Sequence, residues 1–450
     1  MPFDFDGDGF ADMAIGIKGE DLRGKANVGA VQVIYGSESG PTPHDQLWHQ
    51  GRKGVKGALE RGDGFGQRLT SGDFDGDGYA DLAVGIPSED IGGKRNAGAV
   101  QVLHGSPTGL TADGDQVWHQ GSPGVPGGNQ AGDYFGYSLE VGDFQGDGYA
   151  DLVVGIGQEE VRGKKYAGRV VVLYGSASGL TSAGVQSWDQ GSPGLDSQLT
   201  RYVQFGAHLA TGDVNGDGRD DLVVRGDWES GELHVILGGA KGLTASGSQL
   251  FDLADLGMPR HFLGEQMITL EDFDGDGRDD LALAAYDSGF NDGFTVALLH
   301  GRAGGLRPHP LGPVGQPGSD GTLELDPDLD LWDATTDSGD LTGDGHVDLR
   351  VGRDVLIGTS QGLGSAVVRW PEWSGRCPKS NALPLSGGTH VWFLCAYPRG
   401  AVDGLDRPGY VTVAQGTADG TPGPATVWHQ NSPGIKGTAE ARDFFGSHVG

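Results

Sequence analysis

Asp-Gly-rich segments recur along this chain, beginning at Asp4, Asp73, Asp143, Asp213, Asp272 and Asp340, at intervals of 69, 70, 70, 59 and 68 residues. Other elements keep the same phase. Trp-His-Gln starts at Trp48, Trp118 and Trp428, with Trp-Asp-Gln at Trp188. Phe-Gly falls at Phe65, Phe135, Phe205 and Phe445, and Tyr/His-Gly-Ser closes an apolar run at Tyr35, His104 and Tyr174. A period this long, with several short strands in each unit, predicts an all-β seven-bladed propeller or another array of β modules.

Composition agrees. Glycine makes up 85 of 450 residues, far above the usual ~7%. No Gly recurs every third position, which excludes collagen. Runs such as Ala99–His104 and Arg169–Tyr174 carry period-2 strand patterning, which argues against disorder.

The unit from 63 to 110 predicts strands at Phe65–Leu69, Leu82–Ile86 and Ala99–His104, with a tight loop at Asp73–Asp81. The next Trp-His-Gln supplies or leads into an outer strand. The chain begins on a loop without its Phe-Gly strand and finishes on a Phe-Gly strand without its loop. Joining them in one sheet removes two exposed edges. The segment after Asp340 is long enough for one unit lacking the loop, near Val367–Gly416, so seven blades are expected. The expected division is a single propeller over 1–450. Blade 1 takes 426–450 plus 1–40, blade 2 47–110, blade 3 117–180 and blade 4 187–243. Blade 5 takes 249–306, blade 6 320–363 and blade 7 367–417.

Each loop reads Asp-x-Asp-Gly-Asp-Gly-x-x-Asp or a near variant. Calcium takes six to eight oxygens, and carboxylates at alternate positions of a tightly wound loop supply them. The expected ligands of the first loop are Asp4, Asp6, Asp8, Asp12 and the carbonyl of Phe10. Those of the second are Asp73, Asp75, Asp77, Asp81 and the Tyr79 carbonyl. The third offers Asp143, Gln145, Asp147, Asp151 and Tyr149, and the fourth Asp213, Asn215, Asp217, Asp221 and Arg219. The fifth offers Asp272, Asp274, Asp276, Asp280 and Arg278, and the sixth Asp340, Thr342, Asp344, Asp348 and His346. Up to six Ca²⁺ are expected. The Asp340 loop is the weakest, because threonine brings only a hydroxyl. The last acid stands at position 9 and a strand follows, so the motif is not an EF-hand.

These residues resemble the FG-GAP repeat of the integrin α-subunit head. The resemblance rests on Phe65–Gly66, on Asp73–Asp81, and on Gly85–Ile86–Pro87 in the place of Gly-Ala-Pro. It spans almost the whole chain, strongly in units 1 to 4 and weakly in 6 and 7. It implies a seven-bladed propeller of the bacterial secreted type, with calcium in inter-strand loops and an extracellular binding or adhesion role. Departures are Phe262–Leu263–Gly264 in unit 5 and Arg225–Gly226–Asp227 in unit 4. Unit 7 lacks the loop and carries Cys377 and Cys395, either bridged or reduced.

A net charge of −31 disfavours nucleic acid and anionic membranes. No apolar run is long enough to span a bilayer. No signal peptide stands at Met1, so export implies a leader upstream. Arg61–Gly62–Asp63 and Gly358–Thr359–Ser360–Gln361–Gly362 read as repeat-phased turns, the latter lacking the strand-to-helix setting of a nucleophile elbow. The phased Trp residues read as packing. Trp228, Trp370, Trp373 and Trp392 are the better surface candidates. Acid pairs at Glu20–Asp21, Glu89–Asp90 and Glu159–Glu160 read as a solvated ring. The expectation is a secreted, monomeric, non-enzymatic calcium propeller that binds an unknown protein or glycan. The alternatives are a lectin-like propeller or the non-catalytic part of a larger secreted enzyme.

Overall fold

The computed structural model describes residues 3–226, 231–256, 258, 268–287, 293–309, 336–342, 344–351, 354–360, 362–363, 367–369, 379–384, 391–397, 401–402, 404–406, 408–415 and 423–449. The described residues form seven four-stranded antiparallel sheets and no helix. Blade 1 pairs Phe445–Val449, Met13–Ile17, Ala30–Ile34 and Asp45–Trp48 in that order. Blade 2 runs Arg68–Gly72, Asp81–Ile86, Ala99–His104, Thr111–Trp118, and blade 3 runs Ser138–Gly142, Asp151–Ile156, Arg169–Tyr174, Thr181–Trp188. Blade 4 runs His208–Gly212, Asp221–Arg225, Glu232–Leu237, Thr244–Asp252, and blade 5 runs Ile268–Glu271, Asp280–Asp287, Gly293–His300, Arg307–His309. Blade 6 runs Thr336–Gly339, Asp348–Val351, Asp354–Leu356, Val367–Arg369, and blade 7 runs Lys379–Pro384, Val391–Tyr397, Tyr410–Gln415, Thr426–Trp428.

The first strand of every blade touches the first strand of the next, and the series closes from Lys379–Pro384 onto Phe445–Val449 and from there onto Arg68–Gly72. This is a seven-bladed β-propeller. Closure uses the pairing expected of the chain ends, with Ile15 opposite Val449 and Ile17 opposite Phe445.

The two middle strands of blades 2 and 3 are buried almost throughout. Successive side chains of a strand point to opposite faces, and each face meets a different blade. Leu82, Val84 and Ile86 pack with Val31 and Val33 of blade 1. Ala83, Val100 and Val102 pack with Leu152 and Val154 of blade 3. The outer strand Thr111–Trp118 is half-exposed.

The Phe-Gly element is the joint between blades. Phe135 bridges Gly98 of the preceding blade, as Phe65 bridges Gly29 and Phe205 bridges Gly168. Gly98 has φ +85°, and a Cβ there would stand 2.3 Å from the Phe135 nitrogen. Only glycine tolerates that backbone approach. Phe445 makes the same joint at closure, donating its amide to the Pro408 carbonyl at 2.8 Å.

The sheets correct the expected blade limits. The Trp strands belong to the blade they end: Trp48 pairs with Val31, Trp118 with Val100 and Trp428 with Val411. Blades 2, 3 and 4 therefore do not begin at 47, 117 and 187, and blade 1 ends at Trp48, not at 40. Residues 426–428 close blade 7, and Val367–Arg369 closes blade 6. Hydrogen bonding to the third strand, not the repeat phase, decides where a blade ends.

Candidate metal centres

In blades 2 to 6 the Asp-Gly loop joins the first and second strands, and in blade 1 it leads into the second strand, Met13–Ile17. In blade 2 the Asp73 carboxylate accepts the amides of Gly76 at 2.7 Å, Asp77 at 3.1 Å and Gly78 at 3.0 Å. Gly76 and Gly78 hold φ of +71° and +92°, so the loop curls back over its first residue. Oxygens of Asp73, Asp75 and Asp77 then lie within 4.8 Å of one another, as do those of Asp4, Asp6 and Asp8, and of Asp272, Asp274 and Asp276. Asp143 winds its loop the same way through Gly146, Asp147 and Gly148, and Asp213 does so through Gly216, Asp217 and Gly218. Asp340 accepts the amides of Asp344 and Gly345. These three loops replace the position-3 acid with Gln145, Asn215 and Thr342.

Such an arrangement fits a cation. Buried polar atoms are nearly always satisfied, yet Oδ1 of Asp4 is buried without a hydrogen-bond partner and Asp4 is 7% exposed. A cation among Asp4, Asp6 and Asp8 would complete it.

The ninth-position acid has a second duty that spacing did not reveal. Asp12, Asp81, Asp151, Asp221, Asp280 and Asp348 are all buried. One oxygen of Asp81 accepts the Phe74 amide, and the other accepts Gly105 at the end of the third strand. Asp12, Asp151 and Asp221 do the same for Phe5 and Gly36, Phe144 and Gly175, and Val214 and Gly238. Asp280 accepts from Gly301, and Asp348 from Thr342 and Gly358. Burial pushes the Asp12 carboxyl up to about 8 and those of Asp151 and Asp221 up to about 7, the amide bonds offsetting only part of the effect.

Two histidines enter the loops unforeseen. His104 Nδ1 stands 3.2 Å from Asp81 Oδ1 and 3.4 Å from Asp75 Oδ2. His300 Nδ1 stands 3.3 Å from Asp280 Oδ1 and 3.1 Å from Asp274 Oδ2. For His104 the signal lay in the Tyr/His alternation before Gly-Ser, which read as a strand end only; His300 precedes Gly-Arg and fell outside that pattern. Asp81 and Asp280 thus join metal-type clusters with imidazoles. The expected carbonyl donors Phe10, Tyr79, Tyr149, Arg278 and His346 are placed by their own amides; that of Tyr79, for example, donates to Asp77 Oδ1 at 3.0 Å.

Successive loops are wired in series. The amide of Ala80 donates to the Asp4 carbonyl, Ala150 to Asp73, Asp220 to Asp143 and Asp279 to Asp213. The position-8 residue of the second to fifth loops therefore hangs on the first residue of the loop before it.

Elsewhere, the acid-pair loops are not wholly solvated. Asp21, Asp90 and Glu160 are exposed, but Glu20, Glu89 and Glu159 are buried. Gln50 Nε2 donates to Glu89 at 2.9 Å and Gln430 Nε2 to Glu20 at 2.7 Å. The Gln of the Trp-His-Gln segments at Trp48 and Trp428 thereby reaches across to the next blade. Trp48 is buried beneath Arg52, whose guanidinium carbon lies 3.8 Å from the ring centroid, as packing requires. Asp63 of Arg61–Gly62–Asp63 is buried and accepts the Glu60 amide at 2.6 Å, a turn role. Trp228, Trp370, Trp373 and Cys377 lie outside the described residues, and the side chains of Trp392 and Cys395 are likewise not described. No helix among the described residues is long and apolar enough to cross a membrane.

The FG-GAP repeat family matches residues 4–34, 65–103, 135–173 and 205–236. The chain is 32% identical over 237 residues to integrin alpha-PS2 of Drosophila melanogaster, covering 50% of this chain and 15% of that protein. It is 35% identical over 167 residues to phosphatidylinositol-glycan-specific phospholipase D of Bos taurus, covering 36% of this chain and 18% of that protein. The chain therefore spans under a fifth of the length of these relatives. Among solved structures, exotype rhamnogalacturonan lyase YesX aligns over 89% of this chain and 65% of its own, at 15% identity and a TM-score of 0.43. That likeness is too slight to bear on function.

Proposed function

We propose that this chain, which carries FG-GAP repeats on an integrin α-like seven-bladed propeller, is a calcium-stabilised extracellular binding module with no catalytic role of its own. The observation that carries the reading is the convergence of three carboxylates in the loops at Asp4, Asp73 and Asp272, on a frame repeated in six blades. Ca²⁺ among these acids would relieve their mutual repulsion and hold the first strand of the blade to the second. The carbonyls of Phe10, Tyr79, Tyr149, Arg219, Arg278 and His346 would complete the shells. Loops of this kind fill at the calcium levels met outside cells, about 10⁻⁴–10⁻³ M, and not in resting cytosol.

The partner is a protein bound on the propeller surface. A glycan is the second reading, favoured by Tyr166 and Tyr202. These rings stack at 5.7 Å and 28° and are 42% and 43% exposed. Likeness to part of a phospholipase D also supports a propeller serving as the binding portion of a longer secreted enzyme.

Thermal unfolding in millimolar Ca²⁺ and in excess chelator, with metal content measured alongside, tests the reading. A large loss of melting temperature in chelator, with several ions bound in calcium, supports it. An unchanged melting temperature and no bound calcium reduce the loops to turns and overturn it.

A further inference from the structure

We propose that His104 and His300 build a second kind of cation position in two of the loops: a mixed nitrogen–oxygen site that takes a borderline divalent ion such as Zn²⁺ in preference to Ca²⁺. In blade 2 its donors are His104 Nδ1, Asp75 Oδ2 and Asp81 Oδ1. In blade 5 they are His300 Nδ1, Asp274 Oδ2 and Asp280 Oδ1. Asp75 and Asp274 belong also to the all-oxygen groups of the same loops, so each would bridge the two positions.

Three observations support this. His104 is 8% exposed, and its Nδ1 is buried with no hydrogen-bond partner. It faces two carboxylates, so the nitrogen is aimed into the cluster. The separations of 3.1–3.4 Å suit neighbouring donors around one small ion. Bonds of about 2.0–2.1 Å at tetrahedral angles put neighbours about 3.3 Å apart. The carboxylates are also pre-oriented. Asp81 Oδ1 is held by the Gly105 amide at 2.9 Å and Asp280 Oδ1 by the Gly301 amide at 2.8 Å, and such outer contacts fix metal-binding side chains.

Comparison among the blades separates this role from packing. At the corresponding position blades 1 and 3 carry Tyr35 and Tyr174. Their hydroxyls accept the amides of Leu110 and Leu243 from the next blade, at 2.9 and 3.3 Å. His104 makes no such bridge. The equivalent amide, that of Leu180, is taken at 3.1 Å by Gln116 of the outer strand. The imidazole is therefore released from the inter-blade joint and turned back into its own loop. Calcium sites take oxygen donors, whereas imidazole suits zinc, copper, nickel and iron. An imidazole in the cluster shifts preference toward the latter group.

The test strips the protein with chelator, returns it to millimolar Ca²⁺, and titrates it with Zn²⁺ and with Co²⁺ as a coloured probe. One equivalent of Zn²⁺ per histidine is expected in the presence of calcium, with intense visible Co²⁺ bands of low-coordinate geometry. His104→Tyr, which installs the side chain of blades 1 and 3, should abolish one equivalent, and the pair His104→Tyr/His300→Tyr should abolish both. The calcium-dependent melting shift should persist in each. His104→Gln provides the same reading if the tyrosine is not accommodated. Zinc uptake unchanged in the double variant, or no uptake in calcium, overturns the proposal. Zinc uptake without any calcium-dependent melting shift would instead sink the calcium reading and leave this one standing.

Discussion

Oδ1 of Asp151 accepts the Gly175 amide at 2.9 Å, tying the start of the second strand of blade 3 to the end of the third. Oδ2 accepts the Phe144 amide at 3.1 Å. One buried carboxylate thus holds three segments of the blade, and the arrangement recurs at Asp12, Asp81 and Asp221.

Asp151→Ala should therefore destabilise the protein even without metal. It leaves two buried amides unsatisfied, a cost of about 3 kcal/mol or more. Asp147→Ala, on the exposed limb of the same loop, should change stability in chelator by no more than about 0.5 kcal/mol while reducing the stabilisation by calcium. Urea unfolding of both variants in chelator and in Ca²⁺ checks the contrast. Equal losses in chelator would contradict it.

Calcium affinity should follow the number of acids in a loop. Thr342→Asp, which gives the Asp340 loop its fourth acid, should tighten that site about tenfold and slightly destabilise the metal-free protein through repulsion with Asp340 and Asp344. Calorimetric titration reads the first effect and melting in chelator the second. An unaltered titration would remove the Asp340 loop from the set of sites.

The buried glutamates of the acid-pair loops predict an unusual pH response. Burial raises Glu20, Glu89 and Glu159 from 4.5 to about 7 in the folded protein. Between these values the folded state holds protons that the unfolded chain has released, so each group's contribution falls as pH rises from about 4.5 to 7 and is level beyond. Glu89→Gln should flatten one share of that decline. Denaturation midpoints across pH 4.5–8 measure it, and parallel curves for the two proteins would refute the assignment.

Phe445 is fully buried at the closing joint. Phe445→Ala should cost about 3–5 kcal/mol. Deleting Phe445–Val449 should in addition bare the Met13–Ile17 edge to other chains. Light scattering and urea unfolding separate the two effects: cavity loss alone leaves a monodisperse protein.

Much of this architecture is legible in the chain. The phase of Asp4, Asp73, Asp143, Asp213, Asp272 and Asp340 marks six loops, and Phe445 at one end with Asp4 at the other foretells closure. Repetition exposes these features because each unit solves the same local problem, a tight turn followed by a strand buried on both faces.

What repetition hides is the partner of each side chain. Trp48 could close one blade or open the next, and only its pairing with Val31 decides it. Glu89 and Asp90 are alike in sequence, yet Gln50 from the previous blade meets the first in the interior, and the second is exposed. Tyr35 and His104 share one repeat position, but Tyr35 spans to the next blade and His104 turns into its own loop. The sequence alone determined the strand-and-loop unit, the number of units and the acids gathered in each loop, because backbone turns and alternating burial act over a few residues. The tertiary structure decided which strand ends a blade, which acids are buried and which imidazoles face the carboxylates, because those outcomes depend on surfaces brought together from separate parts of the ring.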